Sequence, residues 1–217
     1  MNLQETIQVY EEEWRMMKSG ITVRGVVYSA LFGALLVAMS FLSVSLGFTP
    51  VPISLTTMGV MLAGAILGAA YGGFSMLLVI ALTFLGLPLI HGEGGLGYML
   101  GPKGGFAVMF PLSAYLIGWF VSRVRGNGKW AFIQIFLMAF VFGSLLIYVT
   151  GVPWLAYKAN VSIGKALVMG MLPYLPGDVI KALVTAIIVL PVRRAFPVWK
   201  LVGGSGSEVV QLQDRTE

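Results

Sequence analysis

Between Glu13 and Glu208 the chain carries only two acidic residues, Glu93 and Asp178, and the rest is a succession of long apolar blocks separated by glycine- and proline-rich turns. A bilayer core about 30 Å thick takes about 20 helical residues per crossing, so the chain has room for six spans with short loops and two tails, the second and third spans being short. With 58% hydrophobic and 11% charged residues, the composition excludes a soluble globular domain and describes an integral membrane protein. Barrel strands would alternate over about ten residues. The runs here are unbroken and rich in Leu, Ala, Val, Gly and Met. The expected fold is therefore all-α, a six-transmembrane-helix bundle. Its spans fall near residues 25–46, 55–70, a third after a turn at Tyr71, Gly72 and Gly73 that ends near Pro88, then 105–121, 130–150 and 176–196.

The organisation follows from these blocks: an N-terminal arm over 1–22, a membrane domain over 23–200 and a flexible tail over 201–217. The arm reads as polar and helical, with Tyr10 and Trp14 at the membrane surface, and no signal peptide is expected because Glu11, Glu12 and Glu13 replace a basic leader. The chain has no cysteine, which removes disulfides, Cys-ligated zinc and thiol catalysis. A net charge of +5 carries no nucleic-acid meaning in such a chain, since basic residues collect in cytoplasmic loops. Of 14 Lys and Arg, ten lie in the arm, at Arg24 just beyond it, in the 122–129 loop and in the C-terminal region, against Lys103, Lys158 and Lys165 on the other side. Both termini are thus expected in the cytoplasm.

Pro176, Gly177 and Asp178 open the last span, with proline at a first helical position and an acid at the positive end of the peptide dipoles. Asp178 and Lys181 are three apart and share a face. A charge at bilayer depth costs about 2.5 to 3.5 kcal/mol on insertion scales, so such groups face a protein interior, a watery site or each other. The pair is either a structural ion pair or part of a binding site. In the segment LPLIHGEGGLGYMLGPKGGF, His91, Glu93 and Lys103 sit among seven glycines from Gly92 to Gly105. A phosphate loop is excluded because Lys103 is followed by Gly104 rather than Ser or Thr. One His and one Glu two apart make no metal site.

The turn GFTPVPIS holds two prolines and reads as an ordered apolar lid, with Phe48, Pro50, Val51 and Pro52 covering a pocket. Given the orientation, this turn, the glycine-rich segment and the Asp178 helix opening all fall on the outer side. Together they predict one external site with apolar and aromatic walls, including Tyr98, Trp154 and Tyr174, and few polar groups: Glu93, Asp178, Lys181 and Lys103. In the first span, Ala30, Ala34 and Ala38 form a stripe of small side chains against which another helix can pack closely.

The motifs VPISLTTMGVMLAGAILG from Val51, GLPL from Gly86, GEGGLGYMLGPKGG from Gly92 and PGDVIKA from Pro176 together resemble the BioY family, the biotin-specific substrate-binding (S) components of energy-coupling-factor (ECF) transporters. The resemblance spans residues 23–196. It implies a six-helix bundle in a prokaryotic cell membrane that captures biotin from outside. It also implies partnership with a transmembrane coupling subunit of the EcfT type and a pair of cytoplasmic ATPases. Asp178 and Lys181 match the family's ligand-binding Asp-x-x-Lys, Glu93 a polar ligand contact between glycines, and Ala30, Ala34 and Ala38 the docking stripe. Where some members carry arginine after the Gly-Gly pair this chain has Ala107, which leaves Lys103 as the cation for the ligand carboxylate.

Biotin's ureido ring offers N–H donors to Asp178, and Lys181 can donate either to the ureido carbonyl or to the valerate carboxylate, through charge-assisted hydrogen bonds. No cofactor, metal or catalytic residue is expected. The alternatives are an S component for thiamine or riboflavin, and an intramembrane enzyme using Glu93, His91 and Asp178 as acid and base groups.

Overall fold

A computed structural model describes residues 22–44, 47–124 and 128–203. The N-terminal arm over 1–21 and the tail from 204 lie outside the described residues. Helix α1, Val23–Phe41, opens on Thr22, whose side chain accepts from Gly25 N–H at 3.0 Å. Gly25, Ser29, Gly33 and Leu36 make its buried face, while Ala30, Ala34 and Ala38 lie on the exposed one. The span ends at Phe41 rather than at residue 46. The chain then forms a two-residue strand, β1 (Ser43–Val44), paired antiparallel with β2 (Ile53–Ser54), and this clamp closes the base of the 47–52 turn.

Helix α2, Thr56–Phe84, contains both the expected second and third spans. Its chain reverses at Gly68, with φ 80° and ψ −177°. A Cβ at Gly72 would lie 2.8 Å from the Ala63 carbonyl oxygen, nine residues back, a separation that one straight helix cannot produce. The turn therefore sits at Gly68 and not at Tyr71, Gly72 and Gly73. Glycine alone adopts that backbone readily, and the later pair of glycines serves close packing between the two arms instead. By length and composition the described residues hold five helical stretches able to cross a membrane: Val23–Phe41, Thr56–Phe84, Gly104–Val121, Lys129–Ala159 and Leu175–Ala195.

Short helices α3 (Gly95–Leu100) and α4 (Gly104–Ala107) build the glycine-rich segment and lead into α5, Phe110–Val121, which takes Pro111 in its first turn. Next come α6 (Lys129–Phe140), a π-helical turn (Val141–Leu145) and α7 (Leu146–Ala159), one continuous run of 31 residues. It runs past the expected end at residue 150, so Trp154 and Tyr157 stand on its last turns. Asn160, left-handed at φ 57°, ends it. Then come α8 (Ile163–Gly170), with Ala166 and Gly170 buried, and α9, Leu175–Ala195. Pro191 lies inside α9, in the last turns before its end at Ala195. Helix α10, Val198–Val202, takes in residues 201 and 202, which the sequence assigns to the tail.

Two apolar clusters fill the bundle. One, around Leu36, Met76, Phe106, Phe110, Ile147 and Leu155, borders the cavity described below; the other packs Met61, Leu67, Ile117, Val121, Ile135 and Val189. Many large apolar side chains face outward, among them Leu31, Leu77, Val149, Ile180 and Ile187. An apolar exterior of that extent matches lipid rather than water as the surrounding solvent.

Candidate functional site

The 47–54 turn, the glycine-rich segment, the π-helical turn with the start of α7, and the opening of α9 enclose a cavity of about 610 Å³, counted to its open mouth. Val51, Pro52, Ser54, Thr56, Thr57, His91, Tyr98, Lys103, Phe106, Phe110, Ser144, Ile147, Tyr148, Gly170, Tyr174, Asp178 and Lys181 line it. A mostly apolar wall with a few converging polar groups is that of a small-molecule site.

Asp178 and Lys181 are both buried, their side chains 2% and 9% exposed, and Lys181 Nζ donates to Asp178 Oδ1 at 3.0 Å. Lys181 also donates to Thr57 Oγ1 at 3.2 Å, and the Tyr148 hydroxyl donates to Asp178 Oδ2. The pair thus holds itself in place, and its bonding capacity is only partly used. An ammonium has three donors and a carboxylate about four acceptor positions; these bonds engage two of each. The helix register places the pair on the cavity wall with bonds left to make.

At another part of the wall Lys103 Nζ donates to Glu93 Oε1 at 2.7 Å. Lys103 lines the cavity; Glu93 is half-exposed and stands outside the lining, holding Lys103 from the solvent side. His91 has left-handed backbone at φ 56°, its N–H donating to Ser40 Oγ at 3.1 Å and its Nε2 3.4 Å from Thr56 Oγ1. Burial, then the nearby Lys103 charge, pulls the imidazole down to about 4 against an opposing effect of Glu93, so His91 is neutral at physiological pH. The Tyr98 phenol is pushed up, first by burial and then by Glu93, and stays protonated.

The turn is tied across the mouth by Tyr174, whose hydroxyl donates to the Val51 carbonyl and lies 3.3 Å from Thr49 Oγ1. Of the four lid residues expected from sequence, Val51 and Pro52 face the cavity, whereas Phe48 and Pro50 point outward into exposed positions. Trp154 is not on the wall. It packs on Gly105, where a Cβ would come within 2.3 Å of it, and its indole N–H donates to the Gly101 carbonyl at 2.8 Å. Trp154 braces the glycine-rich segment from behind. Among the described residues no group of three His, Cys, Asp or Glu converges as a metal site.

The family model described as BioY matches residues 14–198. The chain belongs to the BioY family. Among curated relatives, it is 38% identical over 182 residues to the biotin transporter BioY of Rhizobium etli, covering 82% of this chain and 97% of that one. It is 38% identical over 171 residues to the probable biotin transporter BioY of Bacillus subtilis, covering 78% and 90%. Among solved structures, the S-component for biotin from an ECF-type ABC transporter, a crystal structure at 2.1 Å, superposes with a TM-score of 0.73 at 33% identity. That match covers 79% of this chain and 92% of that one.

In this BioY chain several cavity residues escape sequence reasoning. Thr57, Ser144 and Tyr148 stand in otherwise apolar helices, where isolated polar groups at membrane depth are the available signal. Phe106, Phe110 and Ile147 carry no such signal. An apolar side chain facing a cavity reads like one facing lipid or core.

Proposed function

We propose that this chain captures biotin from the outer face of a prokaryotic cell membrane, as the substrate-binding component of an energy-coupling-factor transporter. The observation that carries the reading is the buried Asp178–Lys181 pair on the wall of the 610 Å³ cavity, already oriented by Tyr148 and Thr57 and with bonds still to make. A ureido N–H meets Asp178 and the ureido carbonyl meets Lys181. Val51 and Pro52 supply apolar contact from the lid, Tyr98 and Tyr174 form walls, and Lys103, released from Glu93, meets the valerate carboxylate. In apolar surroundings such contacts carry specificity, since an analogue lacking one leaves a buried charge unpaired.

The names of the relatives support transport rather than enzymatic turnover, and biotin rather than thiamine or riboflavin. The two arms of α2 on either side of Gly68 act as separate spans, which gives six crossings with both termini in the cytoplasm. Transport then requires a coupling subunit of the EcfT type and an ATPase pair that hydrolyses ATP, with Ala30, Ala34 and Ala38 as the surface that meets the coupling subunit. The test is a direct titration of the purified protein with biotin, thiamine and riboflavin. Biotin alone is expected to bind; tighter binding of either other vitamin overturns the assignment.

A further inference from the structure

Buried hydroxyls inside the bundle mostly find a backbone carbonyl. Ser29 donates to Tyr71 O at 3.1 Å, Ser75 to Ser29 O at 2.7 Å, Thr83 to Val79 O at 2.7 Å, and Ser113 to Phe142 O. Among the described residues two buried side-chain atoms have no hydrogen-bonding partner: Ser144 Oγ and His91 Nδ1. Both residues line the same cavity, although they come from different segments 53 positions apart in the chain. An unsatisfied buried polar group is costly, and two of them on one wall call for a common partner.

Local geometry points the same way. A helical serine normally bonds back to a carbonyl one turn earlier. Ser144 makes no such bond and lies in the π-helical turn Val141–Leu145, a distortion frequent at functional sites. His91 is held in a left-handed conformation that a side-chain-bearing residue adopts only when its surroundings impose it. The neutral ring carries one N–H; in the tautomer that donates Nε2–H to Thr56 Oγ1, 3.4 Å away and itself 2.8 Å from Ser54 Oγ, Nδ1 is an acceptor.

A cyclic urea has two N–H donors and a carbonyl with two lone pairs, of which Asp178 and Lys181 engage one each. We propose that His91 Nδ1 accepts the second N–H and Ser144 Oγ donates to the second lone pair, making these residues the determinants of selectivity for a ring with donors on both sides of its carbonyl. This rests on the biotin reading above.

Biotin titration calorimetry on the full chain in detergent, paired with thermal unfolding of the ligand-free protein, tests it. Loss of one such bond weakens binding about 10-fold. Ser144→Ala is expected to show that loss while the ligand-free Tm stays level or rises. His91→Gln keeps a group near Nε2 and loses Nδ1, with the same expected loss. His91→Asn restores a polar atom near Nδ1 and should stay within about 3-fold of wild type. Ser75→Ala, whose hydroxyl serves the Ser29 carbonyl away from the cavity, should lower Tm and leave affinity unchanged. If wild type binds biotin while Ser144→Ala and His91→Gln bind equally well, water is the partner and the inference is overturned. An affinity loss that tracks a matching fall in ligand-free Tm also overturns it, by showing a structural role. Failure of wild type to bind biotin at all strikes the functional reading instead.

Discussion

Asp178 and Lys181 are each buried and each other's principal partner, so removing one leaves an uncompensated charge, a change that costs about 3 to 5 kcal/mol. Removing both with apolar residues of similar size is often neutral or stabilising. Lys181→Met is therefore expected to lower both Tm and biotin affinity, while the double variant Asp178→Leu with Lys181→Met recovers Tm and does not bind. Thermal unfolding and calorimetry of the two proteins check this; a double variant that still binds biotin removes the pair from the site. His91 gives a pH signature. Its folded pKa of about 4 lies below the usual value near 6.5, so the unfolded chain takes up the proton first. Its contribution to stability is complete above about pH 6.5 and is lost as pH falls through about 4. Ligand-free Tm should be level between about pH 7 and 8 and decline through that acidic window, less steeply in His91→Gln than in wild type.

Helix α2 shows which features of the elements were legible from sequence. Its apolar length and glycine content announce tightly packed membrane helices, and the reversal was expected within a few residues of where it occurs. Its position at Gly68 rather than Tyr71 to Gly73 was not legible, because all these glycines permit a turn and only packing selects one. A Cβ at Gly64 would come within 2.4 Å of the Ala114 carbonyl, and one at Gly118 within 2.3 Å of the Gly68 backbone, so α2 and α5 touch backbone to backbone. Gly118→Ala should thus destabilise by more than the about 1 to 3 kcal/mol typical of overpacking, since backbone cannot rotate away. Gly164→Ala in α8 meets nothing within 4 Å and should be neutral or gain up to about 1 kcal/mol of helix propensity. Denaturation of the pair reads the difference; equal stability would mean that α2 and α5 are not in this contact. Trp154 was assigned to the cavity from its residue type. The extension of α7 past residue 150 turns it onto Gly105 instead, a consequence of helix length that composition did not reveal.

At the scale of the molecule, distant segments converge on one cavity because α1 and the turn after it, the two arms of α2, and α9 open toward the same end of the bundle. That convergence was legible from charge asymmetry and loop chemistry, whereas the walls contributed by Phe106, Phe110 and Ile147 were not. On the outside of α1, Ala30, Ala34 and Ala38 face away from the cavity and the core. Replacing all three by leucine should leave biotin binding by the isolated protein unchanged and abolish uptake by cells that express the coupling subunit and ATPases. Unimpaired uptake would exclude that surface from docking. The account as a whole depends on the cavity holding biotin through the carboxylate of Asp178. The direct measurement is calorimetric titration of biotin into the purified wild type and Asp178→Asn, which keeps the shape and removes the charge. One-to-one binding by wild type and at least about 100-fold weaker binding by the variant is the predicted result, in line with loss of a charge-assisted bond and the adjacent unpaired ammonium. Equal affinity in the two proteins would contradict it.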